Sequence, residues 1–191
     1  MCVLYCFFKY DYIFLYIINI DIINNYAVMK EITLEVKVKE YDKLEELDSD
    51  DRVLMLEARK ASLNAYAPYS NYYVGAAVRL ANGKIITGNN QENVAYPSGL
   101  CAERVALFSA SAQYPGERIE SIAITAKARD FIVDYPVSPC GACRQVISEY
   151  EMLAKQKIKI ILMGQEGKIQ ILEGVENLLP LVFKEDNLKK L

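Results

Sequence analysis

Every cysteine after residue 28 falls in one of two short motifs: Cys101-Ala102-Glu103-Arg104 and Pro139-Cys140-Gly141-Ala142-Cys143-Arg144-Gln145. A Cys-x-x-Cys at a helix start brings its two sulfurs near one point, the first just before the helix and the second one turn in. Cys101 supplies a third sulfur from another predicted helix start. Helix N-termini carry partial positive charge and unpaired N–H groups, and both favour thiolate over thiol. Three thiolates around one Zn²⁺ leave the fourth tetrahedral position open for water, which is the layout of a catalytic centre.

Charge decides what else such a centre needs. A divalent cation with three thiolates carries one net negative charge and acidifies its water less well than a neutral centre does. Arg104 is placed to compensate, with Arg144 as a weaker candidate for the same task. Glu103 stands two residues after a ligand, so it can approach the water without binding the metal, take its proton and return it to a leaving nitrogen. A redox pair or half of a structural zinc site is the plainer reading of a lone Cys-x-x-Cys. A structural site wants four protein ligands, and the sequence after residue 28 has no fourth cysteine and no histidine.

The lack of histidine excludes an imidazole base, a Ser-His-Asp triad and any His-ligated metal. With 52% apolar and 25% charged residues, the chain can bury a core, which argues against a disordered or fibrous protein. A net charge of -3 makes it a poor nonspecific binder of phosphate backbones. Residues 1–28 read differently from the rest: they are rich in Ile, Tyr, Phe and Asn, with charges only at Lys9, Asp11 and Asp21. Charges interrupt them too often for a spanning helix of about 20 apolar residues. They also lack the basic start and small-residue cleavage site of a signal peptide. We read 1–28 as a disordered or mis-assigned leader, with Met29 as the expected start, and 29–191 as one domain. A membrane-associating segment or a structural arm are the other readings of the leader.

The elements that must position the motifs follow from patterning. Glu31–Val38 alternates apolar with polar and predicts a half-buried strand. Ser49 or Asp50 is expected to cap a helix over 51–65 with Val53, Leu54, Leu56, Ala61 and Leu63 in the core. Tyr73–Leu80 and Lys84–Gly88 form a hairpin through Asn82-Gly83. Cys101–Tyr114 and Gly141–Leu153 are the motif-bearing helices. Ile119–Lys127, Lys157–Met163 and Lys168–Leu172 are strands, and a short terminal helix begins at Val175. Strands alternating with helices predict an α/β fold with helices on both faces of one sheet.

The two motifs resemble the zinc-dependent nucleoside and nucleotide deaminases, whose general signature is a ligand-x-Glu followed by Pro-Cys-x-x-Cys. More narrowly, the chain resembles the small homotetrameric cytidine deaminases, which have Cys as first ligand, over roughly 50–191. The resemblance implies a three-layer α/β/α fold with a mixed five-stranded sheet and one zinc ion per subunit on Cys101, Cys140 and Cys143. It implies Glu103 as the proton shuttle and Arg104 hydrogen-bonded to the thiolates. Asn90-Gln91-Glu92-Asn93 resembles the segment that grips the ribose, which implies Asn90 and Glu92. Ala102 is implied to offer its backbone to the pyrimidine. Tyr69–Ala77 resembles a segment reading Tyr-Ser-x-Phe-Pro-Val-Gly-Ala-Ala, with Tyr72 in place of the Phe that packs on the base and Tyr73 in place of the Pro. Leu178-Leu179-Pro180-Leu181-Val182-Phe183 resembles a terminal segment whose Phe closes a neighbouring subunit's site, which implies Phe183.

The reaction implied is hydrolytic deamination of cytidine and 2′-deoxycytidine to the uridines and ammonia, in pyrimidine salvage. The partners expected are a small nucleoside and three further copies of the chain, with no nucleic acid and no membrane. Reduced thiolates holding a metal suit the cytoplasm. Three rivals stand beside this reading. They are an editing deaminase of RNA or DNA, a deaminase of a nucleoside-like antibiotic, and a protein in which zinc is structural and Glu103 has no part.

Overall fold

The structure is a computed structural model and describes residues 29–185 and 188. The expectation for the leader, 1–28, lies outside the described residues. The chain divides into two units, Met1–Thr33 and Leu34–Leu191. The described part of the first, Met29–Thr33, has no helix or strand and is exposed.

The second unit holds nine regular elements: β1 (Lys39–Tyr41), α1 (Ser49–Ser62), β2 (Tyr72–Leu80), β3 (Ile85–Asn89), α2 (Ala102–Gln113), β4 (Ile119–Ala128), α3 (Gly141–Ala154), β5 (Lys159–Met163) and β6 (Ile169–Glu173). Single 3-10 turns lie at Leu44–Glu46, Tyr96–Ser98 and Val175–Asn177. The sheet is mixed, in the order β1-β6-β5-β4-β2-β3, and only β4 and β5 run parallel.

Alternation along the strands sorts the core into two layers. Ala76 and Val78 of β2, Ile122 and Ile124 of β4, and Ile160 and Leu162 of β5 pack under α2 and α3. The residues between them, including Ala77, Ala123 and Ile161, face Leu54, Met55 and Ala58 of α1. The result is the expected α/β/α sandwich. Two glycines set the helix distances. A Cβ at Gly75 would stand 2.0 Å from the Ala58 carbonyl of α1, and one at Gly88 would stand 2.4 Å from the Ala106 amide of α2.

Four expectations change. The sheet has six strands rather than five, because Lys39–Tyr41 adds to the edge of β6. The strand expected over Glu31–Val38 does not form. Its natural partner β6 ends at Glu173, where Gly174 (φ 90°) turns the chain away, and the Lys37 amide donates to Asn177 Oδ1 at 2.9 Å instead. Helix α1 is capped by Asp48, whose carboxylate accepts from the Asp51 amide, and not by Ser49 or Asp50. Of the expected core residues of α1, Leu54 and Ala61 face the sheet, with Met55 and Ala58, while Val53, Leu56 and Leu63 are exposed, since one helix face cannot hold all of them. The terminal helix is only the turn Val175–Asn177. No helix among the described residues is long and apolar enough to cross a membrane.

Candidate active site

Cys101 and Cys140 are the N-cap residues of α2 and α3, and neither sulfur bonds back to its own helix. Both are therefore free to meet. Cys101 Sγ lies 3.8 Å from Cys140 Sγ, Cys140 Sγ lies 3.4 Å from Cys143 Sγ, and all three sulfurs fall within 4.8 Å of one another. Cys143, one turn into α3, is fully buried, while Cys140 is exposed.

The donor set fits zinc. Three sulfurs at these separations suit one tetrahedral ion with an open position. The Cys101 thiol is pulled down to about 5, first by the hydrogen bond from Cys143 and then by Arg104 against the cost of burial. Cys143 is pushed up by that same bond and by burial. Arg104 Nη2 lies 3.7 Å from Cys101 Sγ, and Arg104 Nε is buried without a partner. The unpartnered buried Nε calls for more negative charge beside it, which three metal-bound thiolates would supply. Arg144 does not share this task. Its Nε donates to the Pro139 carbonyl (2.8 Å) and its Nη1 to the Leu178 carbonyl (2.5 Å), tying the C-terminal segment to the start of α3.

Glu103 is 4% exposed. Burial holds its carboxyl above the usual range, and the negative Cys101 adds to this. Cys101, Glu103 and Cys140 line one wall of a cavity of about 730 Å³. Asn90, Glu92 and Tyr72 line it elsewhere, so six of the sequence-predicted residues share one space.

The polar pair is held by the β2 edge and the turn before it. Asn90 Oδ1 accepts from the Val74 amide (2.8 Å) and Nδ2 donates to the Tyr72 carbonyl (2.9 Å), which leaves one N–H and one lone pair free. The Glu92 carboxylate accepts from the Tyr69 amide (2.8 Å), the Ser70 amide (3.3 Å) and the Ser70 hydroxyl (2.5 Å). Burial would raise Glu92, but the Ser70 hydroxyl and the two amides outweigh it and hold the carboxyl below its usual value. The Tyr72 ring stacks on Phe131, with centroids 6.3 Å apart and planes at 28°. Its hydroxyl is pushed up to about 12 by burial and by its bond to Tyr135.

Ala102 is fully buried in the first turn of α2 and is not among the cavity-lining residues. Phe183 is also absent from the lining. It is 70% exposed, and Gln145 Nε2 donates to its carbonyl at 3.0 Å. Sequence reasoning gave no role to Ser70, Phe131, Tyr135 or Val137. The last three sit in the loop between β4 and α3, where no periodicity marks them, although the three residues before Cys140 had to lie close to it.

Comparison with known proteins places this geometry. Residues 48–158 match the cytidine and deoxycytidylate deaminase zinc-binding region. The chain is 40% identical over 140 residues to a cytidine deaminase of Halalkalibacterium halodurans, covering 73% of this chain and 98% of that protein. It is 39% identical over 139 residues to one from Sporosarcina psychrophila, covering 73% and 95%. A crystal structure of cytidine deaminase from Burkholderia pseudomallei superposes with a TM-score of 0.59 at 40% identity, covering 69% of this chain and 97% of that one.

Proposed function

The chain belongs to the cytidine and deoxycytidylate deaminase zinc-binding family, and on that premise we propose that it hydrolyses cytidine and 2′-deoxycytidine to the corresponding uridines and ammonia, in pyrimidine salvage. The observation that carries the reading is a buried carboxylate, Glu103, lining the same cavity as Cys101 and Cys140, two of a cluster of three cysteines.

Cys101, Cys140 and Cys143 would hold the zinc ion, which would supply an acidified water and a positive charge beside the substrate. Glu103 takes a proton from the water as its oxygen bonds to C4, and gives that proton to N3 of the pyrimidine. It then takes the remaining proton of the new C4 hydroxyl and passes it to the 4-amino nitrogen; the C4–N bond breaks, ammonia leaves, and C4 becomes the carbonyl carbon of the uridine. One carboxyl must serve as base and acid, and burial, which raises its pKa, makes it a stronger proton acceptor for that exchange. Arg104 offsets the thiolate charge. The free N–H of Asn90 and the remaining lone pairs of Glu92 suit the ribose hydroxyls, Tyr72 gives the base an aromatic wall, and the Ala102 backbone meets the pyrimidine. Phe183, exposed on its own chain, closes the site of a neighbouring copy in a homotetramer, and the enzyme works in the cytoplasm. The three rivals lose ground to the ribose-gripping pair and the acidic chain.

The test is Glu103→Gln in the full chain, followed by the loss of cytidine absorbance and by zinc content. Turnover falls by about 10²–10⁴-fold while zinc stays bound. Unchanged turnover, or zinc lost together with activity, refutes the role given to Glu103.

A further inference from the structure

The segment just before β1 is made for a partner. Leu34, Val36 and Val38 alternate with Glu35 and Lys37, and all five are exposed, the three apolar residues by 54%, 51% and 43%. Among the described residues, β1 is the edge of the sheet and pairs only with β6. The ladder stops at Lys39, and the Lys37 amide is taken by Asn177 Oδ1 on the β6 side. In a strand, successive residues turn their backbone groups to opposite sides. The segment is not itself a strand, but were the alternation of β1 continued through it, with the Lys37 amide turned toward Asn177, the backbone groups of Val36 and Val38 would face the open edge. An exposed apolar edge of this kind is a template for strand addition.

The segment's charges specify the occupant. Laid antiparallel against itself about Val36, the stretch Leu34–Val38 sets Glu35 of each copy opposite Lys37 of the other, twice. The other face then carries Val36 against Val36 and two Leu34–Val38 pairs. Shifting the register by one residue along each strand sets Glu35 against Glu35 or Lys37 against Lys37, and like charges directly opposite are unfavourable. We propose that residues 34–38 join two copies of the chain by antiparallel β-pairing centred on Val36. This contact lies outside residues 48–158, the part matched by the deaminase family, and does not involve the cavity.

The experiment uses the full chain at low ionic strength, with molecular mass read by sedimentation equilibrium. Glu35→Lys places four lysines at the junction, and Lys37→Glu places four glutamates. Each single variant loses the association, with the dissociation constant rising by about tenfold or more. Mixing the two variants restores it, because a copy with lysine at both positions then faces a copy with glutamate at both. The double variant E35K/K37E, which only reverses the pairs, associates like the original chain. Added salt weakens the association. The proposal fails if either single variant sediments like the original chain, or if the mixture keeps the masses of its components. Neither outcome bears on the deaminase reading, because the readout is mass and not turnover.

Discussion

A methyl group on Gly88, far from the sulfurs in sequence, should damage the metal centre more than one on Gly141, which adjoins Cys140. Gly88 lies in β3 beneath the first turns of α2. A Cβ there would stand 2.4 Å from the Ala106 amide nitrogen and 2.6 Å from the Ala102 carbonyl oxygen. Ordinary contact is near 3.4 Å or more, so the helix must retreat by about 1 Å, and backbone atoms cannot rotate away as a side-chain tip can. The helix that retreats is the one whose start holds Cys101, Glu103 and Arg104. Overpacking of this kind costs about 1–3 kcal/mol, which for a chain of this size lowers Tm by roughly 2–12 °C. A misplacement of about 1 Å in a catalytic group costs on the order of 10²-fold in rate. At Gly141 a Cβ meets nothing within 4 Å, and Ala is the better helix former by about 1 kcal/mol. The assay takes Gly88→Ala and Gly141→Ala together, with thermal unfolding, zinc per chain and cytidine turnover measured for each. Gly88→Ala is expected to lose stability, and zinc affinity or turnover with it, while Gly141→Ala keeps all three. If Gly88→Ala keeps full zinc and turnover, or Gly141→Ala loses them, then the packing of α2 on β3 does not set the site.

Two further outcomes follow from the site's hydrogen bonds. Arg104→Ala strips the guanidinium from Cys101, and zinc affinity should fall by about 10–100-fold, as for other residues that support a metal ligand; equal zinc retention in a competition with a chelator would remove that role. Glu92→Gln leaves the shape but loses the charge that draws in the Tyr69 and Ser70 amides and the Ser70 hydroxyl, so KM for cytidine should rise by about tenfold or more with zinc content unchanged. A change in kcat alone would place Glu92 in the proton transfers instead.

The metal centre was legible in the sequence because its parts are local. Cys101-x-Glu103 and Cys140-x-x-Cys143 each span one helical turn, and a helix start fixes where such residues point. The cavity's other walls were less legible. Phe131 stacks on Tyr72 from a loop, and Ser70 meets Glu92 across 22 residues, contacts that only the sheet's register brings about. The error at Glu31–Val38 has the same origin. Alternation reports that a segment would suit a sheet, but a strand also needs a neighbour, and β6 is too short to provide one. The buried face of α1 was only partly legible: Leu54 and Ala61 do face the core, but at about 100° per residue Leu56 and Leu63 lie on the opposite side of the helix from Leu54, and Val53 lies on its flank, so apolar character alone did not mark the face.

Why two helices from separate parts of the chain start at one place follows from strand direction. β2 runs antiparallel to both β3 and β4, so β3 and β4 point the same way although β2 separates them. Each is followed by a loop and then a helix, α2 after β3 and α3 after β4, and both helices lie on the same face over Val78 and Ile122. Two helices that return over one face from the same edge must both begin at that edge. Their N-termini therefore converge beyond the C-terminal ends of the strands, where open α/β sheets place their ligands. At that point the partial positive charges of both helix starts add to that of Arg104 beside Cys101. The same edge receives the loop after β3, with Asn90 and Glu92, and the start of β2, with Tyr72. The three cysteines, Glu103, the Asn90–Glu92 pair and Tyr72 thus come from four separate stretches of chain, and the topology brings those stretches to one end of the sheet.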